Sequence, residues 1–196
     1  MEDVRIRGSI SSAGFPDGNR FVIGYWLDSP IGEFGDVMWG TSEGKKILLA
    51  RSERIVNFVS AIYDFDEVRI GDLQIVSRGR STYAMGFGLD IALNGGRIRG
   101  IIPPRPLSFT RYIESPIASF LMGVETFGTS SRGVMEWYQA EKWRRVTSGT
   151  VSLHGRDLGS LCAFTQPLGV GFSEPPRIPS IVDLDVTIRF PDSTLL

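Results

Sequence analysis

Ser81-Thr82-Tyr83-Ala84-Met85-Gly86-Phe87-Gly88-Leu89-Asp90-Ile91-Ala92-Leu93 places a large apolar side chain at every second position from Tyr83 to Leu93, with small or polar residues between them. A period of two belongs to a β-strand; on a helix the two sets would mix. One strand through the whole stretch would run about 40 Å at about 3.3 Å per residue, roughly twice an ordinary strand. The reading therefore predicts a strand that bends at Gly86 and Gly88 and coils through a barrel wall. Its bare face, which carries Gly86, Gly88 and Asp90, is then expected to look into an enclosed space.

Outward from there, the same alternation marks both ends of the chain. Val4, Ile6, Gly8 and Ile10 alternate with Asp3, Arg5, Arg7 and Ser9, and Val182 to Phe190 alternate with Asp183, Asp185, Thr187 and Arg189. The opposite charges on the two polar faces predict that these strands lie side by side and close the sheet. Further strands are expected at Arg20 to Leu27, in a hairpin of Asp36 to Thr41 with Lys45 to Ala50, at Glu67 to Ser77, at Arg97 to Ile102, at Val134 to Arg144 and at Val146 to Leu153. Gly79-Arg80 and Asn94-Gly95-Gly96 read as turns. Ser52 reads as the N-cap of a helix through Ile55, Val56, Phe58, Val59, Ile62 and Tyr63. A second, shorter helix is expected from Ser115 and Pro116 to the residue before Gly123. The fold class is mainly β: an antiparallel β-barrel or strongly coiled sheet of about nine strands with two flanking helices, one domain over residues 1–196.

The totals narrow the function. A net charge of −1 over 196 residues gives no electrostatic footprint for nucleic acid. A single cysteine, Cys162, forms no internal disulfide. The charged start Met-Glu-Asp-Val-Arg lacks the apolar core of a signal peptide, and no apolar run is long enough to span a membrane. A cytoplasmic setting is expected, with no nucleic acid and no membrane as partner. One histidine, His154, and one cysteine do not make a zinc site, so no metal or other cofactor is expected. His154 lies in Leu-His-Gly-Arg-Asp, which reads as a turn between strands. Gly86-Phe87-Gly88 opens no helix and is not a phosphate cradle.

Two acidic groups remain as candidate chemistry. Asp28, Glu33 and Asp36 surround a Ser-Pro-Ile-Gly turn, and Asp64, Asp66 and Glu67 follow the main helix. If both meet at one barrel mouth, two of Asp36, Glu33, Asp66 and Glu67 share a pocket and one pKa rises for general acid work. Aromatic residues concentrate on the hairpins, among them Trp26, Phe34, Trp39 and Trp137, and either fill a barrel or line its cavity. Arg69 and Arg20 are candidates to steer a carboxyl or carbonyl group. Lysine occurs only at positions 45, 46 and 142.

Ser29-Pro30-Ile31-Gly32-Glu33-Phe34-Gly35-Asp36-Val37, followed by strands, a helix and another strand, resembles the acetoacetate decarboxylase superfamily from Ser29 to Ser77. There a comparable turn supplies an active-site acid to a β-cone with flanking helices; the resemblance implies that role for Asp36, with Phe34 as the accompanying aromatic. The family's Schiff-base lysine has no match, because Tyr63-Asp64-Phe65-Asp66-Glu67 occupies its place. Lys142, beside Trp143, is the remaining candidate amine.

Three readings follow. The first is a barrel that binds a small, largely apolar molecule, with a carboxyl or carbonyl group, without Schiff-base chemistry. The second is a decarboxylase-like lyase acting on a small keto acid. The third is an interaction module whose exposed aromatic patch meets a partner or a second copy, a homodimer.

Overall fold

The computed structural model describes residues 3–101, 106–109 and 126–191. In chain order the elements are β1 (Asp3–Gly14), β2 (Arg20–Asp28), β3 (Phe34–Gly40), β4 (Lys46–Ala50), helix α1 (Glu53–Ser60), β5 (Glu67–Ile70), β6 (Leu73–Arg78), β7 (Ser81–Gly86), β8 (Leu89–Ile101), β9 (Phe127–Thr129), β10 (Met135–Leu153), β11 (Arg156–Asp157) and β12 (Ser180–Arg189). They form one sheet in the order β5-β4-β3-β2-β1-β12-β10-β8-β7-β6, with β9 and β11 attached to β10. The parallel pair β4–β5 has the crossover such a pair needs, supplied by α1.

The terminal strands pair as their charges predict. β1 and β12 run in register from Asp3↔Arg189 to Ser12↔Ser180. Arg189 Nε lies 2.6 Å from Asp3 Oδ1, and Arg7 Nε lies 3.5 Å from Asp185 Oδ1. This pair stands in the middle of the strand order, however, so it does not close the sheet. The molecule is a strongly curled open sheet, a half-barrel: of the two architectures expected from the sequence it is the strongly coiled sheet and not the closed barrel.

Its curl has a simple cause. The strands at the two ends of the order, β5 and β6, are consecutive in sequence and joined only by Gly71 and Asp72. The sheet must therefore bend round until its edges meet at that link. Along β6 the approach is made by side chains: a Cβ on Gly35 of β3 would stand 2.9 Å from Ile75 Cδ1. Ser11 and Thr82 share a buried hydrogen bond of 2.6 Å across the interior.

The concave side is packed solid by Phe15, Phe21, Ile23, Leu49, Leu89 and Leu93, with Trp39 stacked on Phe21 at 5.8 Å. Each such side chain contributes about 1.5–3 kcal/mol through the water it sheds. The convex side forms a second core, in which Ile55, Phe58 and Val59 of α1 cover Trp26, Phe34, Leu48 and Ala50. Ser52 caps α1 as expected, its Oγ accepting from Ile55 N at 3.5 Å. Among the described residues this is the one helix, not one of two; Leu107–Phe109 is a single turn, and the helix expected from Ser115 to Gly123 falls outside the described residues.

The stretch from Ser81 to Leu93 is not one bent strand. It is the β7–β8 hairpin, turning on Phe87 and Gly88, whose φ angles of 56° and 77° are those of a two-residue type I′ turn. Gly86 pairs with Leu89 and Ala84 with Ile91, so the turn exchanges parity. Thr82 and Ala84 face the core with Leu89, Ile91 and Leu93, whereas Tyr83 and Met85 point outward. Gly86 and Gly88 are thus turn residues rather than a cavity wall, and Asp90 lies on the exposed face.

Three boundaries also move. β8 runs straight through Asn94-Gly95-Gly96, where a turn was expected, and β10 joins the two strands expected on either side of Arg145. Register shifts near Trp143, Arg144 and Val146 let these two long strands bend together without breaking. The strand expected from Glu67 to Ser77 is cut at Gly71 and Asp72, where the chain passes from one sheet edge to the other.

Candidate functional site

Where β6 passes the end of the β2–β3 hairpin, the surface opens into a cleft of about 420 Å³. Phe34, Ile55, Leu73 and Ile75 supply apolar walls, and Tyr25, Glu33, Arg51 and Gln74 supply the polar groups. Tyr25 OH donates to Glu33 Oε1 at 2.6 Å. That bond, and then burial, holds the Tyr25 phenol above its ordinary pKa. Glu33 and Phe34 were legible as candidates from sequence. Arg51 and the β6 residues come to the cleft only through the fold.

The second feature is a set of acids under the convex core. Asp36 is 1% exposed, and its Oδ1 accepts from Trp26 Nε1 at 3.3 Å while its buried Oδ2 has no partner among the described residues. Burial pushes its carboxyl up to about 7. Glu136 of β10 is fully buried; its Oε2 lies within hydrogen-bond reach of Tyr63 OH at 2.7 Å and Tyr138 OH at 2.9 Å, and its Oε1 likewise has no partner among the described residues. Burial raises Glu136 to about 7 as well, and holds both phenols well above their usual value. Glu136, Tyr63 and Tyr138 were missed in the sequence. The available signal was Val134, Glu136 and Tyr138 sharing one strand parity, which sets a carboxyl in an otherwise apolar row.

The acids expected to share a pocket do not. Asp36 stands opposite Ala50 on the convex side, whereas Glu67 stands beside Ile47 on the concave side. That is three residues, about 10 Å, along β4 and on its other face. Asp66 Oδ2 accepts from Lys46 N at 2.8 Å. Glu67 bonds Lys45 and Arg69, and these cations, Lys45 first, hold its carboxyl below the ordinary range.

The remaining candidates do not line the cleft. Trp39 donates to Asn19 Oδ1 at 2.8 Å and lies under Arg69 at 5.6 Å. Trp137 is buried between Phe127, 5.1 Å away, and Arg189, 5.0 Å away. Arg20 is buried too, its guanidinium donating to the carbonyls of Pro167, Gly18 and Thr41, so it ties loops together. Lys142 stands opposite Asp183 of β12 and Ile101 of β8. His154 does sit in the turn after β10, where its N–H donates to Gly88 O at 2.6 Å. Among the described residues no three of His, Cys, Asp and Glu gather as metal ligands, and no helix is long and apolar enough to cross a membrane.

Neither a protein-family model nor a curated protein matches the sequence. Among solved structures, the chain is similar to a Nitrosomonas europaea protein described as a candidate AttH, at 11% identity and a TM-score of 0.41. The match covers 97% of this chain and 53% of that one, so this chain spans about half the length of the protein it matches.

Proposed function

We propose that the cleft between β6 and the β2–β3 hairpin binds a small, largely apolar molecule carrying a carboxyl or carbonyl group. The observation that carries this reading is the cleft itself: about 420 Å³, with apolar walls from Phe34, Ile55, Leu73 and Ile75 and polar groups from Arg51, Tyr25, Glu33 and Gln74. Its volume falls in the usual range of small-molecule sites, about 300–1,000 Å³, and its side chains divide evenly, four apolar and four polar. The interior of the half-barrel, the place the sequence suggested, is filled by the concave core.

In this reading Arg51 takes the anionic or carbonyl end, because its guanidinium can hold two oxygens at once. Tyr25 and Glu33 form a hydrogen-bonded rim beside it and fix orientation. The role is binding, with no covalent intermediate.

Decanoate is a suitable probe, with an apolar tail and one carboxylate. Titrated into isotope-labelled protein, it is expected to shift amide resonances of Phe34, Gly35 and Leu73 to Ile75, and Arg51→Gln is expected to weaken binding about ten-fold, the worth of one charge-assisted hydrogen bond at a partly exposed site. Shifts confined to other surfaces, or equal affinity in the variant, would remove the proposal.

A further inference from the structure

Glu136 Oε2, Tyr63 Oη and Tyr138 Oη make three mutual hydrogen bonds: Tyr63 to Glu136, Tyr138 to Glu136, and Tyr63 with Tyr138. Every one of them needs a proton. The two phenols bring one each. The third must come from the carboxyl, and Glu136 protonated on Oε2 completes a ring in which each oxygen donates once and accepts once. Ionised Glu136 would leave two phenol oxygens in contact with no hydrogen between them. It would also spread negative charge onto Oε1, which is buried with no donor among the described residues.

The ring joins three pieces of chain. Tyr63 lies just beyond α1, and its ring fills the space where a Cβ on Gly171 would stand, 2.7 Å from Tyr63 Cδ1. Asp64 N donates to Val170 O at 2.8 Å. Tyr138 of β10 packs on Phe172 at 6.0 Å. Pulling the phenols apart therefore loosens the exit of α1 and the 168–172 loop together.

We propose that Glu136, Tyr63 and Tyr138 form a proton-binding site that latches the α1 exit and the 168–172 loop onto β10. With its proton bound the latch has three hydrogen bonds; when the proton leaves to solvent it keeps two and gains a buried charge. The site stands whether or not the cleft takes a ligand.

The surroundings agree with this. From β3 the buried Asp36 faces the site, and its charge acts on Tyr138. From the α1 exit comes Asp64, which is turned to Ser131 and to Arg132 at 3.1 Å. On the neighbouring strands, Ile188 of β12 and Gly128 of β9 stand opposite Glu136 and bear no charge. Among the described residues no cation acts on Glu136; burial raises its pKa to about 7, and the two phenol hydrogen bonds lower it less.

Hydrogen exchange of the full chain, read by mass spectrometry at about pH 5.5 and pH 8.5 and corrected for intrinsic rates, tests the latch. Because Asp36 is raised into the same range, all proteins compared carry Asp36→Asn. Protection over 61–66 and 168–172 is expected to fall by about ten-fold or more at the higher pH, one pKa unit of linkage, while β1 is unchanged. Adding Glu136→Gln, which keeps a neutral donor and acceptor, is expected to abolish the fall. No fall in the parent, or the same fall with Glu136→Gln, overturns the proposal. Carbon-13 titration of the Glu136 carboxyl in the unmutated chain decides between the outcomes if a variant does not fold: a midpoint near 7 supports the latch, and one in the ordinary glutamate range defeats it.

Discussion

Asp36 ties stability to pH through one side chain. Gly24 on the neighbouring strand makes its burial feasible: a Cβ there would stand 2.6 Å from Asp36 Oδ1 and 2.7 Å from Trp26 Nε1. Folded, the carboxyl is raised from 3.8 to about 7 by burial. Between those values the folded chain keeps a proton that the unfolded chain has released. Its contribution is therefore complete below about pH 4, is lost as pH rises to about 7, and stays lost above that. At about 1.4 kcal/mol per unit the loss is on the order of 4 kcal/mol. Asp36→Asn retains an acceptor for Trp26 and cannot ionise. Urea unfolding is expected to find the variant within about 1 kcal/mol of the parent at pH 4.5 and roughly 2–4 kcal/mol more stable at pH 8. Parallel pH profiles for the two proteins would show that Asp36 does not titrate in this window. The acid itself stood out in the sequence, beside its turn; its neutral state did not, because that depends on Gly24, Trp26 and a helix lid that no local pattern connects to position 36.

At the scale of elements, the β7–β8 hairpin shows what alternation can and cannot specify. Large residues at Tyr83, Met85, Leu89 and Ile91 share one parity, and parity is continuous along a strand but reversed across a two-residue turn. The pattern established β-structure correctly and left the turn invisible, because Phe87 stands where Asn or Asp usually marks a type I′ turn. Asn94-Gly95-Gly96 misled in the other direction: its turn-like composition lies inside β8, where register shifts in both β8 and β10 accommodate it. The helix α1 was legible because an N-cap and a helical apolar stripe agreed, both being local. Glycine substitution separates the turn from an ordinary loop. Gly86 has φ 151° and a Cβ there would meet Asp72 O at 2.3 Å, whereas Gly44 has φ 88° and open space around it. Gly44→Ala is expected to cost about 1–2 kcal/mol, the strain of its backbone conformation alone. Gly86→Ala adds a clash with main chain and is expected to cost more than about 3 kcal/mol. Thermal unfolding of the two variants checks the order; equal losses would mean that the β6–β7 backbone yields freely at Asp72.

For the whole molecule, the difference between a closed barrel and this half-barrel lies at β6. In a closed barrel the last strand joins the first by a ladder of main-chain bonds, and side chains stand perpendicular to that ladder, so a small residue facing the seam would tolerate a methyl group. Here β6 reaches β3 through Ile75 on Gly35, and the contact has no ladder to hold it. A methyl group on Gly35 has Ile75 Cδ1 at 2.9 Å and Ile75 Cβ at 3.0 Å in its way. Gly35→Ala is accordingly expected to destabilise by about 1–3 kcal/mol, as overpacking does. Ile75→Ala removes the obstacle along with part of the concave core, and by itself is expected to cost roughly 1–3 kcal/mol because Ile75 is only partly buried. Combined, the two changes relieve each other, so the double variant should be more stable than their sum by about 1 kcal/mol or more in a double-mutant cycle. Additive losses would mean that the seam is not where Gly35 and Ile75 meet. Because both residues also line the cleft, the same cycle reads function: Gly35→Ala wedges β6 outward and is expected to weaken decanoate binding, and the double variant recovers it only as far as the lost Ile75 wall allows.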